Sequence, residues 1–422
     1  MTNEENPIHQ AESRQGPLAK YRVLEMGSTV AGPFCGRMLA DFGAEVIKIE
    51  PVEGDPVRTM GKQFEGHSLY AASIFRNKKL VALDLHRKEG QDIVRALAAN
   101  CDVVVENFKP GTLEKWGLGW DALSRLNPRL VMVRISGFGQ DGPYSHRPGY
   151  GVICEAVSGL RELTGDPDRP PSRVGVSMTD YIAGMHGAYG AVMALMAREH
   201  TGRGQMIDAA LYESAFNFME AWIPAYDKTG FVPSRTGPRL IGSTPNNLYP
   251  TADGSYIHIT AMADNVFRRL SVAMEQPELA TDTRFARHVD RNANHAALDE
   301  IIGRWTAEHP LEKLETILHK AVVPATRIFT IADIFHDPHY RARNAIVSAP
   351  DENLGSVAMA GVVPRLSSTP GAVRHAGRDI GQDSRAVLRD LLGFDDERID
   401  SLAGDGVIAV RASEKSVARE LS

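Results

Sequence analysis

The sequence predicts an α/β fold in which a Rossmann-like large domain is combined with a smaller α+β domain. Through the first 140 residues, short runs rich in Val, Ile and Leu alternate with segments of helical periodicity, the pattern of βαβ units around a largely parallel sheet. Beyond residue 228 the pattern changes to a hairpin followed by consecutive helices. A length of 422 residues, with 43% hydrophobic and 24% charged residues, is enough for two to three globular domains.

The elements of the large domain follow one another from the amino terminus. Apolar runs predict strands at residues 21–25, 45–50, 80–85, 103–106 and 130–136. Apolar residues at helical spacing predict a helix that ends near Phe42, another over 88–99 and a third over 211–226. Residues 181–199 are rich in Ala, Gly and Met, which predicts a closely packed, buried helix.

The small α+β domain is expected over residues 228–330. Asp253 and Gly254 separate two strand-like runs, which predicts a hairpin over 247–260. Apolar periodicity then predicts three helices, at residues 265–274, 294–309 and 310–320.

The charge balance argues against nucleic acid as a partner. Lys and Arg total 47 against 53 Asp and Glu, a formal net charge of −6, so there is no excess positive charge to bind a phosphate backbone. No run approaches the length of a membrane span, and the polar amino-terminal segment lacks the apolar core of a secretory signal. Three widely spaced cysteines without a CxxC give no thiolate metal site and favour a reducing, cytoplasmic setting.

Two glycine patterns imitate nucleotide-binding motifs without completing them. Residues 137–142 read Gly-Phe-Gly-Gln-Asp-Gly, but Pro143 and Pro148 after them are typical of a turn, whereas a dinucleotide site needs a helix there. Gly27 and Gly32 have P-loop spacing, but no lysine follows them. Because this second loop comes directly after a strand, where α/β proteins bind ligands, it is a candidate for contact with some other ligand.

A second strand end carries side chains suited to a ligand with an aromatic base and phosphates. Asn107 and Phe108 follow the run 103–106, and Lys109 and Lys115 supply two cations close behind. A helix-capping turn would account for the same residue types, so both interpretations stay open.

Asp180 is embedded among small and apolar residues ahead of the predicted helix 181–199. A buried carboxylate is costly unless it is paired or hydrogen-bonded, and desolvated acids of this kind are candidate nucleophiles or general acids and bases. Asp is also a favoured N-cap residue, and the residue types alone do not decide between these roles.

Ordered motifs extend over nearly the whole chain, from about Tyr21 to Gly406. They include Ala31-Gly-Pro, Met38-Leu-Ala-Asp-Phe-Gly-Ala-Glu-Val-Ile-Lys-Ile-Glu50, Val104-Val-Glu-Asn-Phe-Lys-Pro-Gly111, Ser136-Gly-Phe-Gly-Gln-Asp-Gly-Pro-Tyr144 and Gly202-Arg-Gly-Gln205. In these motifs the chain resembles the class III CoA-transferases, a family that includes formyl-CoA transferase, carnitine CoA-transferase and α-methylacyl-CoA racemase. It looks most like the members that use succinyl-CoA and small dicarboxylates.

The resemblance implies that Asp180 is a nucleophile. It would attack an acyl-CoA thioester, form a mixed anhydride and then an aspartyl-CoA thioester, and pass CoA to an acceptor carboxylate by the reverse steps. A CoA thioester and a small carboxylic acid are then the substrates, and neither a permanent cofactor nor a metal is implied.

By position, the resemblance also implies a set of CoA-contacting residues. These are Thr29, Leu83, Asn107, Phe108, Lys109, Lys115 and Arg147. The arginine that often follows Ile-Glu in the family is Pro51 here, so the cation for the 3′-phosphate must come from elsewhere, with Lys109 or Arg58 as candidates.

Tyr150 and Gly151 occupy the substrate-pocket positions in this resemblance. Formyl-CoA transferase has Tyr-Glu there and the racemases His-Asp, so the missing histidine argues against racemisation. Gly151 is expected to leave room for a dianion such as malate, citramalate, mesaconate or itaconate, whose second carboxylate needs a cation. The candidate cations are Arg161, Arg169, Arg173, Arg235 and Arg239. An acyl-CoA racemase or epimerase and a non-catalytic CoA-binding protein are the alternatives.

The resemblance further implies an interlocked homodimer and a large domain that is discontinuous in sequence. On this basis we expect a disordered lead, a Rossmann-like CoA-binding domain, a small α+β domain, a C-terminal return to the large domain and a tail, at residues 1–16, 17–227, 228–330, 331–410 and 411–422.

Overall fold

The structure is a computed structural model, and it describes residues 15–411. Most of the expected lead and tail lies outside these residues. Two compact units divide the chain: one joins the stretch up to Leu160 with Gly175–Ile223 and the stretch from Ala342 onward, and the other joins Arg161–Val174 with Pro224–Arg341. The segment Arg161–Val174, which the sequence assigns to the large domain, is therefore part of the second unit.

The secondary-structure elements alternate in chain order. The strands are β1 (Arg22–Glu25), β2 (Glu45–Glu50), β3 (Gln63–Phe64), β4 (His67–Ser68), β5 (Lys78–Leu83), β6 (Val103–Glu106), β7 (Val131–Ser136), β8 (Met206–Ala210), β9 (Asn246–Pro250), β10 (Tyr256–Thr260), β11 (Ala325–Arg327), β12 (Ile346–Asp351), β13 (Gly355–Ala360) and β14 (Ile408–Ala409). The α-helices are α1 (Ala31–Asp41), α2 (Leu69–Ile74), α3 (Lys88–Ala99), α4 (Thr112–Lys115), α5 (Trp120–Leu126), α6 (Gly151–Val157), α7 (Met178–Thr201), α8 (Leu211–Phe216), α9 (Trp222–Thr229), α10 (Asp264–Ala273), α11 (His288–Ala293), α12 (His295–Ala307), α13 (Leu311–Lys320), α14 (Ile331–His336), α15 (Pro338–Ala342), α16 (Ser384–Leu392) and α17 (Asp396–Gly404).

Seven strands of the first unit form one sheet, in the order β14-β5-β2-β1-β6-β7-β8. Neighbouring strands are parallel except β14, which pairs antiparallel with β5. Val23 of β1 lies opposite Val46 of β2 and Val103 of β6. The predicted α/β fold with a largely parallel sheet is confirmed. Because these strands are parallel, the turns after β1, β5 and β6 all leave from one edge of the sheet.

Both faces of this sheet are covered, as buried parallel sheets require. On one face, Leu24 and Ile47 belong to an apolar cluster that includes residues of α3 and α16. On the other face, Val23 and Val46 belong to a cluster that includes residues of α1 and α7.

Helix α7 approaches α1 closely because it carries glycines on the shared face. A Cβ on Gly184 would lie 2.7 Å from the carbonyl oxygen of Ala31. The expectation that the whole helix is buried is wrong, because its Ala and Gly residues pack closely on one side while apolar residues on another side are exposed. The exposed apolar residues of α7 are Met185, Tyr189, Met193 and Met196.

The second unit contains the predicted hairpin. Strands β9 and β10 pair antiparallel, and β11 adds antiparallel to β10. Their buried residues, among them Tyr249 and Ile257, form one core with Phe267 of α10, Leu298 of α12 and Leu314 of α13. The three helices predicted after the hairpin are thus present, within one or two residues of the expected bounds.

Other stretches also differ from the sequence-based expectation. The helix predicted over 211–226 is divided into α8, a 3₁₀ turn at Asn217–Met219 and α9. Strands β12 and β13 form an antiparallel hairpin that was not predicted. Small residues and Pro350 interrupt the apolar alternation in these strands, and this hides the strand pattern.

Candidate functional site

The turn after β1 and the turn after β6 are joined by one amide side chain. The Oδ1 atom of Asn107 accepts a hydrogen bond from the backbone N–H of Ser28 at 2.7 Å, and its Nδ2 donates to the carbonyl oxygen of Ser28 at 2.9 Å. The turn needs glycine where it doubles back, because a Cβ on Gly27 would lie 2.7 Å from the Cα of Gly32. Asn107 therefore fixes residues 27–29, which begin the loop from Gly27 to Gly32 that the sequence indicates as a candidate ligand loop.

A cavity of about 380 Å³ opens beside this loop, and we call it the loop cavity. Its wall includes Ser28, the apolar side chain of Leu83 and the ring of Phe108, so two predicted CoA contacts meet there. The lining also includes His86 and Trp116, whose rings stand edge to face with centroids 5.7 Å apart. Sequence reasoning missed these two residues, although each follows a strand that ends at the same edge of the sheet.

A second cavity of about 280 Å³ continues from Phe108, and we call it the Tyr150 cavity. Its lining includes Asn107, Lys109, Arg147 and Tyr150. The guanidinium of Arg147 lies 3.6 Å from the centroid of the Tyr144 ring.

The remaining predicted CoA contacts are placed differently. Thr29 and Lys115 are outside both linings, and the Lys115 side chain is exposed on α4. Pro51 lines the loop cavity and is exposed. Arg58, one candidate for the phosphate cation, donates two hydrogen bonds of 2.7 Å to the Glu50 carboxylate, so its charge is already paired.

A buried carboxylate supports the turn that carries Phe108. Glu106 accepts a hydrogen bond of 2.7 Å from the backbone N–H of Phe108, and Arg134 donates to it at 2.7 Å. Burial raises the pKa of Glu106 to about 7, although Arg134 and the Phe108 amide act in the opposite direction. Arg134 also donates to Glu114 at 2.7 Å, which connects the end of β6 to α4.

Asp180 lies in the first turn of α7 and is half-buried. The N-cap of this helix is Ser177, so the interpretation of Asp180 as an N-cap is wrong: it is the third residue of the helix. The neighbouring Thr179 hydroxyl donates a hydrogen bond of 2.9 Å to the carbonyl oxygen of Gly151. Burial, together with the charge of Asp180, raises the pKa of the Cys154 thiol to about 12.

The expectation that Gly151 leaves room for a substrate is corrected by the structure. A Cβ on Gly151 would overlap the Oδ2 atom of Asp180 and lie 2.8 Å from its Cγ. The carboxylate of Asp180 itself fills the space where other side chains would stand. Since Tyr150 lines the Tyr150 cavity, the backbone of 150–151 connects this carboxylate to the predicted CoA contacts.

Comparison with known proteins identifies the family. The model of CoA-transferase family III matches residues 18–384. The chain belongs to this family. It is 48% identical over 394 residues to the succinyl-CoA–D-citramalate CoA-transferase of Chloroflexus aurantiacus, covering 93% of this chain and 98% of that protein.

Two further matches extend the comparison. The beta subunit of the succinyl-CoA–L-malate CoA-transferase of the same organism is 41% identical over 397 residues, with 93% of this chain and 98% of that protein covered. A crystal structure of a CAIB/BAIF family protein from Brucella suis superposes with a TM-score of 0.80 at 34% identity, covering 89% of this chain and all of that chain. The family III CoA-transferase that the motifs predicted is confirmed.

Residues 15–411 contain neither a candidate metal centre nor a candidate membrane span. No group of three or more His, Cys, Asp or Glu side chains is arranged there to hold a metal ion. Within the same residues, no helix is both long enough and apolar enough to cross a bilayer.

Proposed function

We propose that this family III CoA-transferase moves CoA from succinyl-CoA to a small dicarboxylic acid, with Asp180 as the covalent nucleophile. The relatives named for D-citramalate and L-malate support this substrate class, at 48% and 41% identity. The observation that carries the proposal is the contact of the Asp180 carboxylate with Gly151, next to the cavity lined by Tyr150, Asn107 and Arg147.

In the first half-reaction, a carboxylate oxygen of Asp180 attacks the thioester carbonyl carbon, the C–S bond breaks, and CoA leaves as the thiolate. The thiolate then attacks Cγ of Asp180 in the resulting mixed anhydride, which releases the donor acid and forms an aspartyl-CoA thioester. In the second half-reaction, the acceptor carboxylate attacks this thioester, and the returning thiolate attacks the acceptor carbonyl carbon. Asp180 is regenerated, and no proton is consumed.

The two cavities have the chemistry that an acyl-CoA requires. Leu83 and Phe108 offer apolar surface for the adenine ring, and Lys109 and Arg147 offer cations for phosphates. Asn107 keeps the loop 27–29 and the Phe108 turn at a fixed spacing. We assign Lys115 and the backbone of Thr29 to the rim of this site.

We also propose that the protein forms a homodimer, interlocked as the family resemblance implies. On α7, Tyr189 is 61% exposed and Met196 is 66% exposed, and with Met185 and Met193 they make an apolar stripe along the helix. A second copy of the chain is the occupant that suits this stripe, because the buried glycine face of the same helix is occupied by the chain's own α1.

A cytoplasmic location completes the proposal. Cys35, Cys101 and Cys154 are buried free thiols, and burial raises the pKa of Cys101 to about 12. Thiols without a disulfide suit a reducing compartment.

The test is a panel of acceptor acids incubated with succinyl-CoA, with product thioesters identified by mass spectrometry. Wild-type protein should form the thioester of at least one small dicarboxylate, and Asp180→Asn should lose transfer by several orders of magnitude while still binding CoA. Quenched digests should carry the acyl or CoA adduct on the peptide that contains Asp180. An adduct on a different carboxylate overturns the role of Asp180. CoA binding without any adduct indicates a non-catalytic protein, and α-deuterium exchange without an acceptor indicates a racemase.

A further inference from the structure

Thr29 has a left-handed backbone conformation, with a φ of 67°. This region is costly for a β-branched residue, and it persists only where surrounding contacts over-determine it. Thr29 directly follows Ser28, whose backbone is bound by Asn107 and which lines the loop cavity. The strain is therefore located in the loop 27–29 itself.

Asp55 holds the strained residue. Its carboxylate accepts a hydrogen bond from the backbone N–H of Thr29 at 3.1 Å and another from Val57 at 3.0 Å. Burial alone would raise the pKa of Asp55, which is 2% exposed, but Lys48 and these amides more than offset it and hold the pKa below its usual value. The side chain is thus a fixed, charged acceptor for the amide of Thr29.

Lys48 connects Asp55 to the other end of the loop. Its ammonium group lies 2.9 Å from Asp55 and also donates to the carbonyl oxygen of Gly27. The Lys48 side chain is fully buried, within β2, and has Glu25 at 3.8 Å as a second carboxylate. One ion pair therefore contacts both Gly27 and Thr29, the first and last residues of the loop.

We propose that Asp55 and Lys48 are positioning residues for acyl-CoA binding, because they hold the loop 27–29 in the conformation that the ligand meets. The inference rests on the proposed acyl-CoA site at this loop. The loop contacts the ligand equally in the ground state and in the transition state. The pair therefore lowers KM for acyl-CoA and leaves kcat unchanged.

Replacement of Asp55 with asparagine tests the proposal. Asp55→Asn retains an acceptor of the same shape but loses the charge that pairs with Lys48. We expect KM for succinyl-CoA to rise about tenfold, with kcat within about twofold of wild type. Adding Thr29→Gly should return KM to within about threefold of wild type, because glycine adopts a positive φ without a Cβ penalty. A merely structural role for Asp55 gives no such rescue.

A second buried ion pair of the same unit provides the matched control. Asp41 lies 2.6 Å from Arg76, both side chains are buried, and none of the hydrogen bonds of Asp41 within residues 15–411 goes to the loop 27–29. Asp41→Asn should lower thermal stability and leave KM for succinyl-CoA unchanged. If Asp55→Asn does not fold, the double variant Lys48→Met/Asp55→Asn removes both buried charges and should show the same rise in KM and the same rescue by Thr29→Gly.

The outcomes separate this inference from the proposed site. If Asn107→Ala raises KM for succinyl-CoA and the Asp55 variants do not, the positioning role is wrong and the acyl-CoA site stands. If Asn107→Ala, Lys109→Ala and the Asp55 variants all bind CoA normally by calorimetry, acyl-CoA does not bind at this loop and both proposals fail. A raised KM that Thr29→Gly leaves unchanged also overturns the positioning role.

Discussion

Gly151 packs directly against the carboxylate of Asp180, so the absence of a side chain at residue 151 allows the proposed nucleophile to occupy this position. A Cβ there would lie 2.8 Å from Cγ of Asp180 and 2.8 Å from the hydroxyl oxygen of Thr179. The Thr179 hydroxyl also bonds the Gly151 carbonyl oxygen, which ties the start of α6 to the start of α7. This close approach explains why Gly151, which has no side chain, belongs to the candidate site.

Gly151→Ala should therefore displace the nucleophile. We expect kcat to fall about a hundredfold, the cost typical of a misplacement on the order of 1 Å, with KM for succinyl-CoA within about twofold of wild type. Gly303→Ala is the matched control, because a Cβ there meets nothing nearer than 3.9 Å. Steady-state kinetics with one good acceptor measures both values. If the Gly151→Ala variant has the same kcat as wild type, the Asp180 side chain can rotate away from residue 151 without loss of activity.

The same contact changes the expectation for Gly151→Glu. The sequence suggests that a carboxylate at residue 151 repels dianionic acceptors selectively. In the structure any side chain at residue 151 would displace Asp180, which we propose as the nucleophile for every acceptor. Gly151→Glu should therefore lower transfer to monocarboxylates and dicarboxylates alike. A selective loss for dianions in the same kinetic comparison would restore the interpretation based on the sequence.

Lys109 should contribute to acyl-CoA binding through its charge. It lines the Tyr150 cavity with an exposed ammonium group, and a phosphate contact persists through the reaction. Lys109→Ala should raise KM for succinyl-CoA about tenfold at low salt, and the ratio to wild type should shrink as ionic strength rises. Lys320→Ala, which removes an exposed charge from α13, is the control. A salt-independent effect in Lys109→Ala would point to packing rather than charge.

Glu106 should make stability depend on pH between about 4.5 and 7. Burial raises its pKa from 4.5 to about 7 in the folded protein. Its contribution is fully present below pH 4.5 and is lost as the pH rises through 7, because the unfolded chain releases this proton first. The loss is roughly 3 kcal/mol of unfolding free energy.

Chemical denaturation of wild type and Glu106→Gln at pH 5 and pH 8 isolates this contribution. The two oxygens of the Glu106 carboxylate accept hydrogen bonds from Phe108 and Arg134, and the glutamine amide has only one acceptor oxygen. Each protein is therefore compared with itself between the two pH values, which separates the titration from the lost hydrogen bond. The variant should lose less stability than wild type between the two pH values. Equal losses would mean that Arg134 keeps Glu106 ionised throughout this range.

The sequence predicted those elements whose apolar pattern is strong. Strands β2 and β6 and helix α3 have the predicted bounds, because each buries an apolar run or stripe. The buried charges were not predicted from their pattern, since Lys48 and Asp55 are seven residues apart and become partners only through the turn after β2. The signal that could have found them is a lysine inside a strand, flanked on both sides by isoleucine. The contact of Gly151 with Asp180 joins residues from two different helices, and composition carries no information about it.

The apolar stripe of α7 should be an interface between two copies of the chain. Tyr189→Glu with Met193→Glu places two charges on the stripe, where burial without a partner is costly. We expect wild type to sediment as a dimer and this variant as a monomer or an aggregate. Val272→Glu, on an exposed residue of α10, should remain dimeric. A monomeric wild-type protein would contradict the proposed homodimer.

The second carboxylate of a dicarboxylic acceptor needs a cation, since a charge in a dry site is costly without a partner. In the second unit, Arg235 donates to the Glu162 carboxylate at 2.7 Å, and Arg169 lies 4.0 Å from Asp166. Within residues 15–411, neither Arg173 nor Arg239 forms an ion pair with a carboxylate. Of the candidates named from the sequence, these two have the most available charge.

Dianionic acceptors should therefore be better substrates than monocarboxylates of equal length. A hydrogen bond to a charged group contributes about 1.5–3 kcal/mol, so kcat/KM for malate or itaconate should exceed that for butyrate or 3-hydroxybutyrate by about tenfold or more. Acceptor kinetics with succinyl-CoA as the common donor measures the ratio. If kcat/KM of the wild type for monocarboxylates equals or exceeds that for dianions, the acceptor is not a dicarboxylate. The assignment of the chain to CoA-transferase family III would be unaffected by that result.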